Sequence, residues 1–185
     1  MIKPWPTLGT KHLGDFHVFS LRSDRKVSPR TGVEHEFYIL NCTNWVNVLA
    51  LTPDDELVMI EQYRHGTNTV ELEIPGGVMD AGETDPVATA IRELREETGY
   101  EGANARILGR VAANPAILTN TVYTVLIENC RLTQPVEFDQ GEDLLTRLVP
   151  VSEVTKMVAE EKFQHSLVVV ALYYFDLWRR GQKKV

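Results

Sequence analysis

The sequence predicts an α+β fold, α/β in its central part: a mixed β-sheet sandwiched between helices, with an N-terminal antiparallel β meander ahead of it. Three observations carry this. Short strand-like runs recur from residue 10 to residue 150, one well-marked helix interrupts them at 86–98, and two further helical stretches gather at the C-terminal end. With 185 residues, 43% of them hydrophobic, the chain is long enough for one well-buried core and short for two ordinary domains.

In chain order, residues 17–21 and 36–40 are rich in Val, Phe, Ile, Leu and Tyr, and the polar stretch 28–32, with Pro29 and Gly32, supplies the turn between them. These make the meander, so residues 1–45 are expected to stand apart from a main domain over 46–185. A second hairpin follows from the apolar runs 46–51 and 57–60 around Pro53, Asp54 and Asp55, with 61–64 as its polar exit. Residues 70–74 read as a strand leading into Pro75, Gly76 and Gly77. Asp85 is an N-cap residue type, Pro86 suits the first helical position and Gly99 is a stop, which fixes a helix over 86–98 with Val87, Ile91 and Leu94 as its apolar stripe. Strands are expected at 105–111, 121–128 and 144–150. The long loops between them, 112–120 and 133–143, are candidates for ligand contact. Helices close the chain at 151–161 and 166–180, the second docking through Leu167, Val170, Ala171, Tyr174 and Leu177.

A formal net charge of −7 argues against electrostatic capture of a long nucleic acid or an anionic membrane, since both need a basic patch. The longest apolar run, 167–175, is far short of a membrane span, and the first residues hold no apolar stretch of signal-peptide length. Cys42 and Cys130 have neither CxxC nor histidine spacing and read as two reduced thiols, which fits the cytoplasm. A small anionic ligand would need a metal ion or local arginines.

On the helix, Glu93, Glu96 and Glu97 lie together on a face other than the apolar stripe. Like charges at this spacing cost an isolated helix roughly 0.2–0.5 kcal/mol per pair. Two readings resolve the conflict. Arg92 and Arg95 make a solvated, salt-bridged face, or the carboxylates hold a hard divalent cation, which takes one or two of them and fills its other positions with water and phosphate oxygens. The glycines ahead of the helix let the backbone approach a bound ion or phosphate.

Gly77, then Glu83, then the run from Arg92 through Glu93, Leu94, Arg95, Glu96, Glu97, Thr98 and Gly99 to Tyr100 resembles the Nudix box, a signature that fixes many residue types over more than twenty positions. The spacing from Glu83 to Arg92 is one residue longer than the family's. The extra residue is expected in the turn at Thr84, Asp85 and Pro86, because inside the helix it would rotate the apolar stripe by about 100° away from the core. Upstream, Glu61-Gln62-Tyr63-Arg64 and Glu71 through Gly77 are similar to the segment before the box in ADP-ribose and nucleoside-diphosphate-sugar pyrophosphatases, and Pro115, fifteen residues after Tyr100, looks like the proline marker of that subgroup.

The resemblance implies a Nudix fold and hydrolysis of a diphosphate linked to a nucleoside, with Mg2+ required and Mn2+ as a substitute. It assigns metal binding to Glu93, Glu97 and the backbone carbonyl of Gly76, with Glu96 supporting metal or water and Arg92 orienting the glutamates. Glu83 would sit behind these or bind a further metal. Arg64, Glu71 and Pro115 would contact substrate. A general base is expected from the late loop, which offers Glu137, Asp139, Glu142 and Asp143, with Glu142 favoured by its place just before a strand. The meander resembles a segment that the subgroup uses to form homodimers. Trp5, Phe16, Phe37 and Trp45 are candidates for stacking on a base, or plain packing residues. The implied substrates are ADP-ribose or nucleotide sugars such as GDP-mannose. The rival readings are hydrolysis of dinucleotides or nucleoside triphosphates, and a sensor that binds ADP-ribose without cutting it. The intact Arg92, Glu93, Glu96 and Glu97 count against the sensor.

Overall fold

The computed structural model describes residues 1–136 and 143–182. They fall into two compact units, Met1–Asn44 with Ala112–Thr121, and Trp45–Val111 with Val122–Val185.

The first unit is built on three antiparallel strands in the order β1 (Thr7–Phe16), β2 (Phe19–Val27) and β3 (Glu34–Asn41). The meander therefore has a strand more than its sequence suggests. His17 and Val18 form the β1–β2 turn instead of opening a strand, because β1 is mostly Thr, Gly, Lys and His and lacks the apolar alternation that marks a strand. Leu118 from the second segment bridges Leu40 of β3.

The second unit holds a seven-stranded mixed sheet. Its main path runs β10 (Leu144–Pro150), β5 (Glu56–Arg64), β4 (Trp45–Leu51), β9 (Thr121–Leu132), β8 (Tyr100–Ala112), with β6 (Thr69–Glu73) on β5 and β7 (Gly76–Val78) on β4. β4 runs parallel to β9 and antiparallel to β5 and β7. Because side chains alternate along a strand, β4 and β9 feed two cores. Val46, Val48, Ala50, Val125 and Ile127 pack with Ala90 and Leu94 of α1 (Pro86–Thr98), while Leu49, Leu51 and Leu126 pack with residues of α2 (Val151–Ala159) and α3 (Ser166–Arg179). The sheet is thus sandwiched between helices. No helix among the described residues is long and apolar enough to cross a membrane.

The limits of α1 follow its capping residues. Asp85 accepts the Val87 N–H at 2.9 Å, Pro86 opens the helix, and Gly99, at φ +72°, donates to the Arg95 carbonyl at 2.8 Å. A Cβ at Gly99 would lie 2.1 Å from the Gln134 carbonyl oxygen, so geometry and space both demand glycine there.

Two helix faces differ from expectation. Ile91 is exposed, and the buried side of α1 runs through Ala90 and Leu94 together with Glu93 and Glu97. The carboxylates lie beside the apolar row and not away from it. On α3 the buried face is Leu167, Val168, Ala171, Leu172 and Phe175, so Val170 and Leu177 are displaced from the expected stripe. That helix is apolar around most of its circumference, and periodicity alone leaves its rotation open.

Candidate active site

Strand register gathers chemically active side chains at one end of the main sheet. In the β5–β6 hairpin Arg64 stands opposite Thr69 and Gln62 opposite Glu71, while β7 places Gly76 opposite Asn47 on β4. A cavity of about 460 Å³ opens there, lined in part by Trp45, Arg64, Glu71, Glu73, Gly76, Gly77 and His165.

Glu93 and Glu97, one helical turn apart, come up against β7. Both are buried, at 8% and 2% exposure, and the Gly76 N–H donates to Glu97 Oε2 at 3.0 Å. A Cβ on Gly77 would stand 2.5 Å from the Glu93 carboxyl, and one on Gly76 would stand 2.2 Å from the Val46 carbonyl oxygen. The paired glycines therefore let two carboxylates meet the backbone at the cavity wall. Gly77→Ala is expected to push the Glu93 carboxylate aside and reduce kcat roughly tenfold, since a fraction of an ångström at a reacting centre is costly. Steady-state kinetics beside a thermal melt would check it, and unchanged kcat would mean that Glu93 does not act from this position.

Arg92 binds the acidic face together. Its Nη2 lies 3.0 Å from Glu93, 3.5 Å from Glu83 and 3.9 Å from Asp80, and its Nη1 donates to Glu96 at 2.9 Å. Burial alone would weaken its charge, but Glu93, Glu96 and Glu83 outweigh burial and hold its pKa well above the ordinary value. Glu83 accepts the Asp80 N–H and the Thr89 hydroxyl, at 2.8 and 2.9 Å. The Asp80 N–H, then Thr89 and Arg92, outweigh burial to keep its carboxyl below the usual range. The longer box spacing thus still delivers Glu83 to Arg92.

One guanidinium facing four carboxylates, with Glu97 beside them, leaves negative charge in excess. Among the described residues no three acidic, histidine or cysteine side chains cage an ion by themselves. A hard divalent cation takes few protein carboxylates and keeps positions for water and phosphate. The donors at hand, carboxylate and backbone oxygens, are of the right chemistry.

In the same cavity, Arg64 donates from Nε and Nη2 to the two oxygens of Glu73, at 2.6 and 2.9 Å. Burial would raise the Glu73 carboxyl, but Arg64 and His165 overcome it and hold the pKa at about 2. His165 Nδ1 lies 3.2 Å from Glu73 Oε2. The contact does not have hydrogen-bond geometry, and Nδ1 is buried without a hydrogen-bond partner. Glu71, 6% exposed, accepts the hydroxyls of Thr67 and Thr69, at 3.1 and 2.6 Å.

Of the residues singled out in the sequence, Arg64, Glu71, Gly76 and Trp45 line the cavity, Glu93 and Glu97 rest against its wall, and Arg92 and Glu96 form the adjoining ion-pair network. Pro115 is exposed in a turn of the first unit closed by the Asn114 carbonyl. Trp5 packs edge-on to Phe37, and Phe16 stacks on Phe19, within that unit. Glu142, Glu137 and Asp139 lie outside the described residues. Sequence reasoning passed over Glu73 and His165. Glu73 had a signal, since it shares a strand face with Glu71 two residues away. His165 had only its place before the helix at Ser166.

The NUDIX domain model matches residues 43–169, and the chain belongs to that family: it is a Nudix hydrolase, of a class that works with a divalent metal ion. It is 29% identical over 174 residues, 92% of either chain, to a methanol dehydrogenase activator of Bacillus methanolicus. It is also 29% identical over 133 residues, 71% of either chain, to an ADP-ribose pyrophosphatase of Bacillus subtilis. The solved structure of an ADP compounds hydrolase shares the fold, with a TM-score of 0.84 at 24% identity over 100% of this chain and 99% of the other.

Proposed function

We propose that this chain hydrolyses the diphosphate bond of ADP-ribose or a related nucleoside diphosphate sugar, GDP-mannose among them, to a nucleoside monophosphate and a sugar phosphate. The metal is magnesium, with manganese as a substitute. The observation that carries this reading is the burial of Glu93 and Glu97 against Gly76 and Gly77, at the wall of a cavity that Arg64 also lines. The names of several relatives, an ADP-ribose pyrophosphatase and an ADP-sugar pyrophosphatase among them, support the substrate class.

Water attacks one phosphorus of the diphosphate. A new P–O bond forms, the bridging P–O bond breaks, and the departing phosphate takes up the proton that water loses. Glu93, Glu97 and the Gly76 carbonyl would hold the metal, with Glu96 beside them. When bound, the ion lowers the pKa of water and neutralises phosphate oxygens as charge develops. Arg92 fixes the rotamers of Glu93 and Glu96 by pairing with both. Arg64, pinned in its fork with Glu73, presents a rigid cation to the diphosphate. Glu71 completes the substrate contacts of the cavity in this reading, and Glu142 takes the proton from water and passes it to the departing phosphate.

The first unit is the surface on which two copies would pair. It exposes Leu8, Leu13, Phe16 and Tyr38 on a sheet of only three strands, with Val33 exposed just before β3. Two free cysteines, Cys42 and Cys130, favour a reducing compartment such as the cytoplasm.

The test is the products formed from ADP-ribose, GDP-mannose, other nucleotide sugars, dinucleotides and nucleoside triphosphates, with magnesium and with chelator. Monophosphate and sugar phosphate are expected only with metal. Turnover confined to triphosphates or dinucleotides would overturn the substrate class, and tight binding without any turnover would make the chain a sensor.

A further inference from the structure

We infer that His165 is a substrate-binding residue of this site, donating from Nε2 to the diphosphate beside Arg64, with Glu73 next to both groups; this rests on the diphosphate reading above. Glu73, 2% exposed, is the common anchor. Arg64 reaches it from β5, and His165 reaches it from the segment between α2 and α3. Two side chains from separate elements converge on one buried carboxylate, and both line the same cavity.

The orientation of the imidazole follows from its own geometry. Nδ1 is buried on the Glu73 side, yet the side chain as a whole is 40% exposed. The accessible part is therefore the opposite edge, where the rigid ring carries Nε2, and that edge belongs to a residue lining the cavity. With Nδ1 turned to the Glu73 carboxylate, Nε2 is the ring nitrogen left to meet a phosphate oxygen in the cavity.

The backbone around His165 is also held in place. Phe163 and Leu167, on either side, are buried at 5% and 8%. Asn47 on β4 donates to the Leu167 carbonyl at 3.1 Å, tying the first turn of α3 to the strand that faces Gly76. The His165 carbonyl accepts from Val168 and Val169, while its side chain makes no capping bond. Replacing the side chain therefore leaves the start of the helix intact.

Two near-isosteres separate the nitrogens. In His165→Asn the amide reaches the Nδ1 position and so faces Glu73, but nothing reaches the cavity. In His165→Gln a donor stands near the Nε2 position. Loss of one charge-assisted hydrogen bond predicts that His165→Asn raises KM for ADP-ribose and weakens ADP binding roughly tenfold, with kcat and adenosine binding within about twofold of the parent. His165→Gln should recover most of the loss. Parent-like KM in His165→Asn, equal loss in both variants, or equal weakening of adenosine would each overturn the inference. ADP and adenosine titrations need no turnover. A parent protein that cuts nothing would therefore refute the proposed function while leaving the donor role of His165 separately measurable.

Discussion

Glu97→Gln should fold like the parent and lose about a thousandfold in kcat for ADP-ribose. The two halves of that expectation come from different properties of one carboxylate. Its structural duty is to accept the Gly76 N–H at 3.0 Å, and a glutamine carbonyl accepts equally well from the same place. At 2% exposure the side chain is close-packed, and the substitution changes neither its length nor its volume to any extent that packing would feel. The glutamine lacks the charge. If Glu97 is one of the few anionic ligands of a divalent ion, its loss removes several kcal/mol of stabilisation for charge that develops on the phosphate oxygens, and each 1.4 kcal/mol is about tenfold in rate. A metal titration of the variant should show saturation shifted to higher concentration. Unchanged kcat with unchanged metal dependence would remove Glu97 from the metal site and leave it as a support for the Gly76 turn.

How legible this arrangement is in the sequence depends on the kind of force that fixes each part. The limits of α1 were readable because they are set locally, by the Asp85 side chain, the Pro86 ring and the positive φ of Gly99. The central hairpin of β4 and β5 was equally plain, since Pro53, Asp54 and Asp55 separate two apolar runs. What lay beyond reach was set at a distance. Ile91 fits an apolar stripe by spacing, yet it is Glu93 and Glu97 that turn inward, because the glycine pair on β7 leaves room for carboxylates there. No periodicity rule foresees a buried charged flank on an amphipathic helix. β1 was hidden for the opposite reason. Its residues are nearly all exposed, so it carries no hydrophobic alternation. In the site, residues of the box and its upstream segment were found through motif spacing. His165 is about ninety residues from Glu73 in the chain, and only the docking of α3 onto β4 through Asn47 brings it there.

The ion pair that anchors Arg64 gives the second large effect, and it is one of stability. Arg64→Ala leaves the Glu73 carboxylate buried with only His165 Nδ1, 3.2 Å away and not hydrogen-bonded, beside it. The depression of the Glu73 carboxyl from its ordinary 4.5 to about 2 corresponds to roughly 3 kcal/mol. Arg64 is 42% exposed, and solvent screening on its side brings the expected loss at neutral pH to about 2 kcal/mol. The pH dependence has a definite sign. Since the folded carboxyl titrates below the unfolded one, the stabilisation is fully present above about pH 4.5 and disappears as pH falls through about 2. Urea unfolding of parent and variant across this range should therefore show two curves that run parallel near neutrality and converge on acidification. Curves that stay parallel down to pH 3 would mean that Glu73 is not held by Arg64 in solution. The same substitution removes the guanidinium from the cavity, so KM for ADP-ribose should rise in variant protein that is still folded at the assay temperature. A loss of stability with KM unchanged would confine Arg64 to a structural pair and shift the burden of holding the diphosphate to the metal and to other donors of the cavity.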